Sequence, residues 1–160
     1  MSRTVGLCVI ATLLALPVAS ASADNKSPTY RRNRGRVVIK GTPFAEFSSE
    51  KQFAKIVSKA RRNTSLTRDA RGRWKVHFIA FLRSAPGASK VNVVWYNLKP
   101  KREQVDYTEF TMGADQVTLK SKLTLSPTAG FKAGQHLEMR VTRIIGGRER
   151  VYAKTRVTLK

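Results

Sequence analysis

From residue 74 to the carboxyl end, apolar residues return at every second position, and glycine or proline breaks the pattern at short intervals. A period of two is that of a β-strand, whose side chains point alternately to opposite faces. The spacing therefore commits most of the chain to β-structure. Residues 74–83 place Trp74, Val76, Phe78, Ala80 and Leu82 on one face. Ile79 and Phe81 make the other face apolar too, so this strand is expected to be central and covered on both sides. After Ser84-Ala85-Pro86-Gly87, residues 91–98 repeat the arrangement, with Val93 and Trp95 on one face and Val94 and Tyr96 on the other. Lys99-Pro100-Lys101 turns the chain into a mixed strand over 104–112, which Gly113 ends. Val117, Leu119, Leu123 and Leu125 then alternate with Thr118, Lys120, Lys122 and Thr124, the pattern of a strand with one wet face. Leu137, Met139 and Val141 alternate with Glu138, Arg140 and Thr142. Gly146-Gly147 is a two-residue hairpin signal, and Val151, Ala153, Thr155, Val157 and Leu159 share one side of the returning strand.

Upstream, Val37, Val38 and Ile39 form a β-branched run that Gly41 and Pro43 end. Ser49 with Gln52 makes a capping-box pattern. Phe53, Ile56, Val57 and Ala60 follow at helical spacing, predicting one amphipathic helix over about 50–62. The sum is about seven strands and a helix inserted between the first two, an arrangement that suits an antiparallel β-sandwich in a single domain over 36–160. Residues 24–35 show no apolar period and carry Arg31, Arg32 and Arg34, so they read as a flexible basic arm.

Phe131-Lys132-Ala133-Gly134-Gln135-His136-Leu137 resembles the turn before the penultimate strand of bacterial secreted immunoglobulin-like and fibronectin type III-like domains. Leu137 stands where those domains usually have a tyrosine, so the tyrosine-corner hydrogen bond is missing. The resemblance implies an immunoglobulin-like sandwich and no particular activity.

The first 23 residues have the features of a cleavable leader. Arg3 precedes an apolar stretch over 5–16, Pro17 ends it, and Ala21-Ser22-Ala23 offers small residues for cleavage before Asp24. The chain is accordingly expected to be exported, to the periplasm or the medium. Cys8 is the single cysteine and lies inside the leader. The exported chain would hold no disulfide, thiolate metal site or cysteine nucleophile. A small disulfide-free exported domain points to a bacterial source. No later segment is apolar enough to span a membrane as a helix.

Charge sets the class of partner. The chain carries a formal net charge of +21, which the loss of Arg3 lowers by one. Such an excess attracts polyanions and opposes compaction. Its densest part is the helix and the loop after it, with nine basic residues and one acid, Asp69, between positions 51 and 75. Lys51, Lys55, Lys59 and Arg62 fall in a sector of roughly 80° opposite the apolar face. With Arg61, Arg68, Arg71, Arg73 and the arm's Arg31, Arg32 and Arg34, they are the expected polyanion-binding residues. The bland alternative is a solvated outer face.

No catalytic pattern emerges. His77 and His136 lack metal-ligand spacing. Glu103, Asp106 and Glu109 sit among cations without a defined separation, and there is no nucleophile elbow, phosphate loop or dinucleotide fingerprint. The expectation is a non-enzymatic module with neither metal nor cofactor; a hydrolase using either histidine ranks last. Single-strand nucleic-acid binders interleave aromatics with cations. Here only Tyr30 and Tyr152 are expected to be exposed, which argues against specific nucleic-acid binding. The expected partner is an anionic envelope polymer, lipid head group or other polyanion. The alternative is an accessory protein that binds an envelope protein through a strand edge, its charge serving solubility.

Overall fold

The computed structural model describes residues 27–160. The expected leader, its cleavage point and Cys8 lie outside the described residues. Among the described residues two α-helices, α1 (Pro28–Asn33) and α2 (Glu50–Ala60), accompany eight strands. The strands are β1 (Arg36–Lys40), β2 (Ser65–Leu66), β3 (Trp74–Phe81), β4 (Lys90–Asn97), β5 (Glu103–Thr111), β6 (Thr118–Leu125), β7 (His136–Ile145) and β8 (Arg148–Leu159). All described helices and strands, and the cores they enclose, lie within 27–160. A chain starting at Asp24 therefore keeps every described contact.

The strands join in one curled, mixed sheet in the order β5-β4-β7-β8-β1-β3-β6, with β2 paired to β8. This half-barrel replaces the two separate sheets expected from the strand rhythm. The cause is β1, which pairs antiparallel with β3 along its whole length and also touches β8 in parallel. That second ladder holds a single residue pair, Arg36↔Lys154, before the strands part. The short β2 then takes over as the parallel neighbour of β8, at Ser65↔Thr158 and Leu66↔Leu159.

The two faces of β3 divide the core as the sequence requires. Trp74, Val76, Phe78, Ala80 and Leu82 enter the inner core with Val93, Trp95, Leu137, Met139 and Val157. Phe78 meets Phe110 of β5 edge to face across the curl, and Trp95 meets Phe131 likewise. Ile79 and Phe81 point outward into a second cluster with Val38, Tyr30, Phe44, Phe53, Val57 and Ala60. This cluster is the seat of both helices.

Helix α2 is capped as expected, Ser49 Oγ accepting from the Gln52 backbone N–H at 3.3 Å. The reciprocal bond is displaced by one residue, because Gln52 Oε1 accepts from the N–H of Ser48. Phe53, Val57 and Ala60 are buried while Lys51, Lys55 and Lys59 face solvent. The segment read as a flexible arm is instead partly ordered. Ser27 caps α1 by accepting from the Tyr30 N–H, Pro28 fills a first-turn position that needs no donor, and the buried Tyr30 donates its hydroxyl to the Leu82 carbonyl at 2.6 Å. An aromatic anchor thus converts a polar, arginine-rich stretch into part of the fold.

The hairpin turn closes as its sequence requires. Ile145 pairs with Arg148, and Gly146 and Gly147 take φ of 56° and 74°. Two consecutive positive φ values define the turn that matches strand twist, and glycine reaches them without strain. Among the described residues no helix is long and apolar enough to cross a membrane.

Candidate anion-binding surface

Where β1 and β8 part, a cleft of about 570 Å³ opens on the outer side of the sheet. The end of α2 walls one side through Ala60, Arg61 and Asn63. Asn63 Nδ2 donates to the Ile39 carbonyl at 3.2 Å and ties the helix end to β1. Six cations line the cleft: Arg34, Arg36, Arg61, Arg83, Lys154 and Arg156. Arg34 Nε donates to the Arg83 carbonyl at 2.7 Å, and the Arg83 side chain lies against Gly35. A Cβ at Gly35 would stand 2.8 Å from Arg83 Nε at a φ of +80°, so only glycine lets that side chain cross the backbone.

Glu138 is the one carboxylate in the lining. Its side chain is 4% exposed, and it accepts from Arg140 Nε at 2.7 Å and Nη2 at 2.6 Å, and from Arg156 Nε at 3.4 Å. Burial raises its carboxyl pKa, but the hydrogen bonds and charge of Arg140, with the bond from Arg156, outweigh burial and hold it below the ordinary range. Arg140 in turn binds Glu149 Oε2 through Nη1 at 3.0 Å and lies over the Tyr96 ring at 4.7 Å. The Tyr96 hydroxyl donates to Glu149 Oε1 at 2.9 Å. Desolvation first, and then this bond to a carboxylate, raise the phenol's pKa. Glu138 is thus already neutralised from below. Among the described residues no ion pair is made by Arg34, Arg36, Arg61, Arg83 or Lys154. A concave wall lined by unpaired like charges focuses the field and raises the local concentration of counter-charge.

The expected basic residues fall into three groups. Arg34 and Arg61 enter the cleft. Lys51, Lys55, Lys59 and Arg62, with Arg31 and Arg32 on α1, are exposed on the helical layer beside it, with no ion pair among the described residues. The Glu50 carboxylate accepts from the Thr29 N–H at 2.9 Å and holds α1 to the first turn of α2. Arg68, Arg71 and Arg73 lie apart, at the other end of β3. There Asp69 accepts from the backbone N–H groups of Arg71 and Arg73, and Arg68 lies 5.5 Å from the Trp74 ring centroid. The bond from Arg73 leads in lowering the Asp69 pKa.

Arg36, Arg83, Lys154 and Arg156 escaped the sequence reading because they are far apart in the chain. Only the register Arg36↔Lys154 brings them together. The aromatics also change places. Tyr30 and Tyr152, expected to be exposed, are buried, while Tyr107 on the edge strand β5 is exposed. His77 lies on the outer face of β3, where burial and then Lys122, Lys40 and Lys75 lower its pKa. His136 Nδ1 contacts Thr158 Oγ1 at 3.1 Å. Among the described residues no three His, Cys, Asp or Glu side chains gather to hold a metal ion. No protein-family model matches the chain, and no curated protein is detectably similar to it in sequence.

Proposed function

We propose that the protein is an exported, non-enzymatic module that binds an anionic envelope polymer or surface through the β1–β8 cleft and the helical layer beside it. The observation that carries this reading is the cleft itself, with six cations around one carboxylate that Arg140 already neutralises. The helical cations extend the same field over an exposed face. A linear polyanion lying in the cleft would continue along α2. The strand order adds a second element to the proposal. The halves β5-β4-β7-β8 and β1-β3-β6 meet at one residue pair, which supports an immunoglobulin-like sandwich curled open at one seam.

The test uses the chain from Asp24 and heparin or single-stranded polyanions across a salt series. Three variants are compared: Arg36→Gln/Arg61→Gln/Lys154→Gln in the cleft, Lys51→Gln/Lys55→Gln/Lys59→Gln/Arg62→Gln on the helix, and Lys122→Gln/Lys132→Gln as a control. On a single-stranded polyanion each engaged cation contributes about 0.7 to the slope of log affinity against log salt. The cleft triple should then flatten that slope by about 2. Equal loss per charge in all three sets would reduce the effect to net charge and refute the site. The accessory-protein reading keeps one supporting observation, the exposed nine-residue edge strand β5. A partner added to that edge would bind through main-chain hydrogen bonds and resist salt.

A further inference from the structure

We infer that the tip of the β7–β8 hairpin inserts into the interface of an anionic lipid bilayer. The pairing of β7 with β4 ends at Asn92↔Thr142, and the next pairs belong to the hairpin alone: Arg143↔Arg150, Ile144↔Glu149 and Ile145↔Arg148. The hairpin therefore parts from β4, which runs on to Lys90 beside β5, and ends as a two-stranded arm. At its end Ile144 and Ile145 are 57% and 41% exposed, and with Tyr107 they are the exposed large hydrophobic side chains of the described residues. Adjacent strand residues face opposite ways, so the two isoleucines give both faces of the tip an apolar surface. Arg143, Arg148 and Arg150 surround them. Glu149, the one acid of the arm, is held by Arg140 and Tyr96.

This chemistry selects one partner. A hydrated acidic polymer satisfies the arginines but offers no apolar phase to the isoleucines. A bilayer interface with anionic head groups offers both within a few ångströms. The position of the arm agrees. Arg83 N–H donates to the Tyr152 carbonyl at 3.0 Å, and Arg143 Nη1 donates to the Pro86 carbonyl at 2.6 Å. The arm thus leaves the same end of the half-barrel at which Arg34 and Arg83 line the cleft. The inference rests on residues separate from the cleft and stands or falls apart from it.

The experiment uses the chain from Asp24 and vesicles of phosphatidylcholine with and without phosphatidylglycerol. Ile145→Trp supplies a reporter against the buried Trp74 and Trp95. Its emission should shift to the blue on phosphatidylglycerol vesicles and be quenched by lipids brominated on the acyl chain. Ile144→Ser/Ile145→Ser should lower vesicle affinity by about 30-fold, as expected for withholding two half-exposed aliphatic side chains from an apolar phase. Its circular dichroism and thermal unfolding should match those of the wild type, which shows that the fold is intact. An unquenched reporter, or vesicle binding that the serine pair leaves unaltered, overturns the inference. So does self-association without vesicles that depends on the same two isoleucines.

Discussion

Replacing Arg140 by Met should be among the most damaging single changes in the chain, although a strand rhythm of two leaves it facing outward. Its side chain is 10% exposed and that of Glu138 4%, so the substitution removes the main partner of a buried carboxylate. Arg156 cannot compensate, since its own side chain is 76% exposed and reaches Glu138 at only 3.4 Å. Breaking a buried pair from one side costs about 3–5 kcal/mol, because the remaining charge is left desolvated. Partial access of solvent and of Arg156 places this case at the lower end, about 3 kcal/mol. For a domain of this size that is a fall in Tm of roughly 10 °C. Urea unfolding with a double-mutant cycle is the assay. Glu138→Leu/Arg140→Met removes both charges and should recover to within about 1 kcal/mol of the wild type, apolar pairs of similar volume being tolerated where ion pairs were buried. A single-variant cost below about 1 kcal/mol, or a double variant no better than the single, would refute the argument.

The same pair fixes a pH dependence. The folded pKa of Glu138 lies below its unfolded value near 4.5. Its contribution is therefore complete above that value and is lost as pH falls through the folded pKa. In Arg140→Met burial acts without its counterweight, the carboxyl pKa rises, and protonation relieves the folded state. The stability gap between variant and wild type should begin to narrow above 4.5, as pH falls through the variant's raised pKa, and narrow further below it as the wild type loses its own contribution. A gap that is constant with pH would show that the loss is one of packing.

Three further outcomes follow from single contacts. Tyr30→Phe leaves the Leu82 carbonyl without its buried hydroxyl donor and should cost about 1–2 kcal/mol in urea unfolding, with faster proteolysis at Arg31 and Arg32 as α1 loosens. The folded pKa of His77 is lowered from 6.5, so wild-type stability should decline as pH falls below that value; His77→Gln should lack this part of the slope, and the imidazole NMR titration should give the lowered midpoint directly. Gly146→Ala meets no atom within 4 Å, so its cost should be the backbone term of a positive φ alone, about 1 kcal/mol by thermal unfolding, without loss of heparin binding.

What the sequence conveys here is local, and what it hides is register. The two faces of β3, the cap and buried stripe of α2, and the glycine turn each depend on residues a few positions apart, and each was legible. Even α1 left a trace, since Ser27-Pro28 is a cap followed by a proline suited to the first turn; the surrounding arginines outweighed it because nothing local says that Tyr30 has a place to go. Glu138 and Arg140 have the alternation of a wet strand face. They are buried because β7 lies between β4 and β8, whose Tyr96, Glu149 and Arg156 close over them. The cleft is the extreme case. Its cations come from the carboxyl cap of α1, the start of β1, the end of α2, the chain just past β3 and the middle of β8. Five segments that are individually unremarkable become one electrostatic site through the pairing of Arg36 with Lys154 and the parting of the strands beyond it. Changing that register by one residue would turn Lys154 and Arg156 to the inner face and close the site without altering a single charge. Under the proposed function a net charge of +21 would set the sign of the partner, and the seam between β1 and β8 would be where it binds.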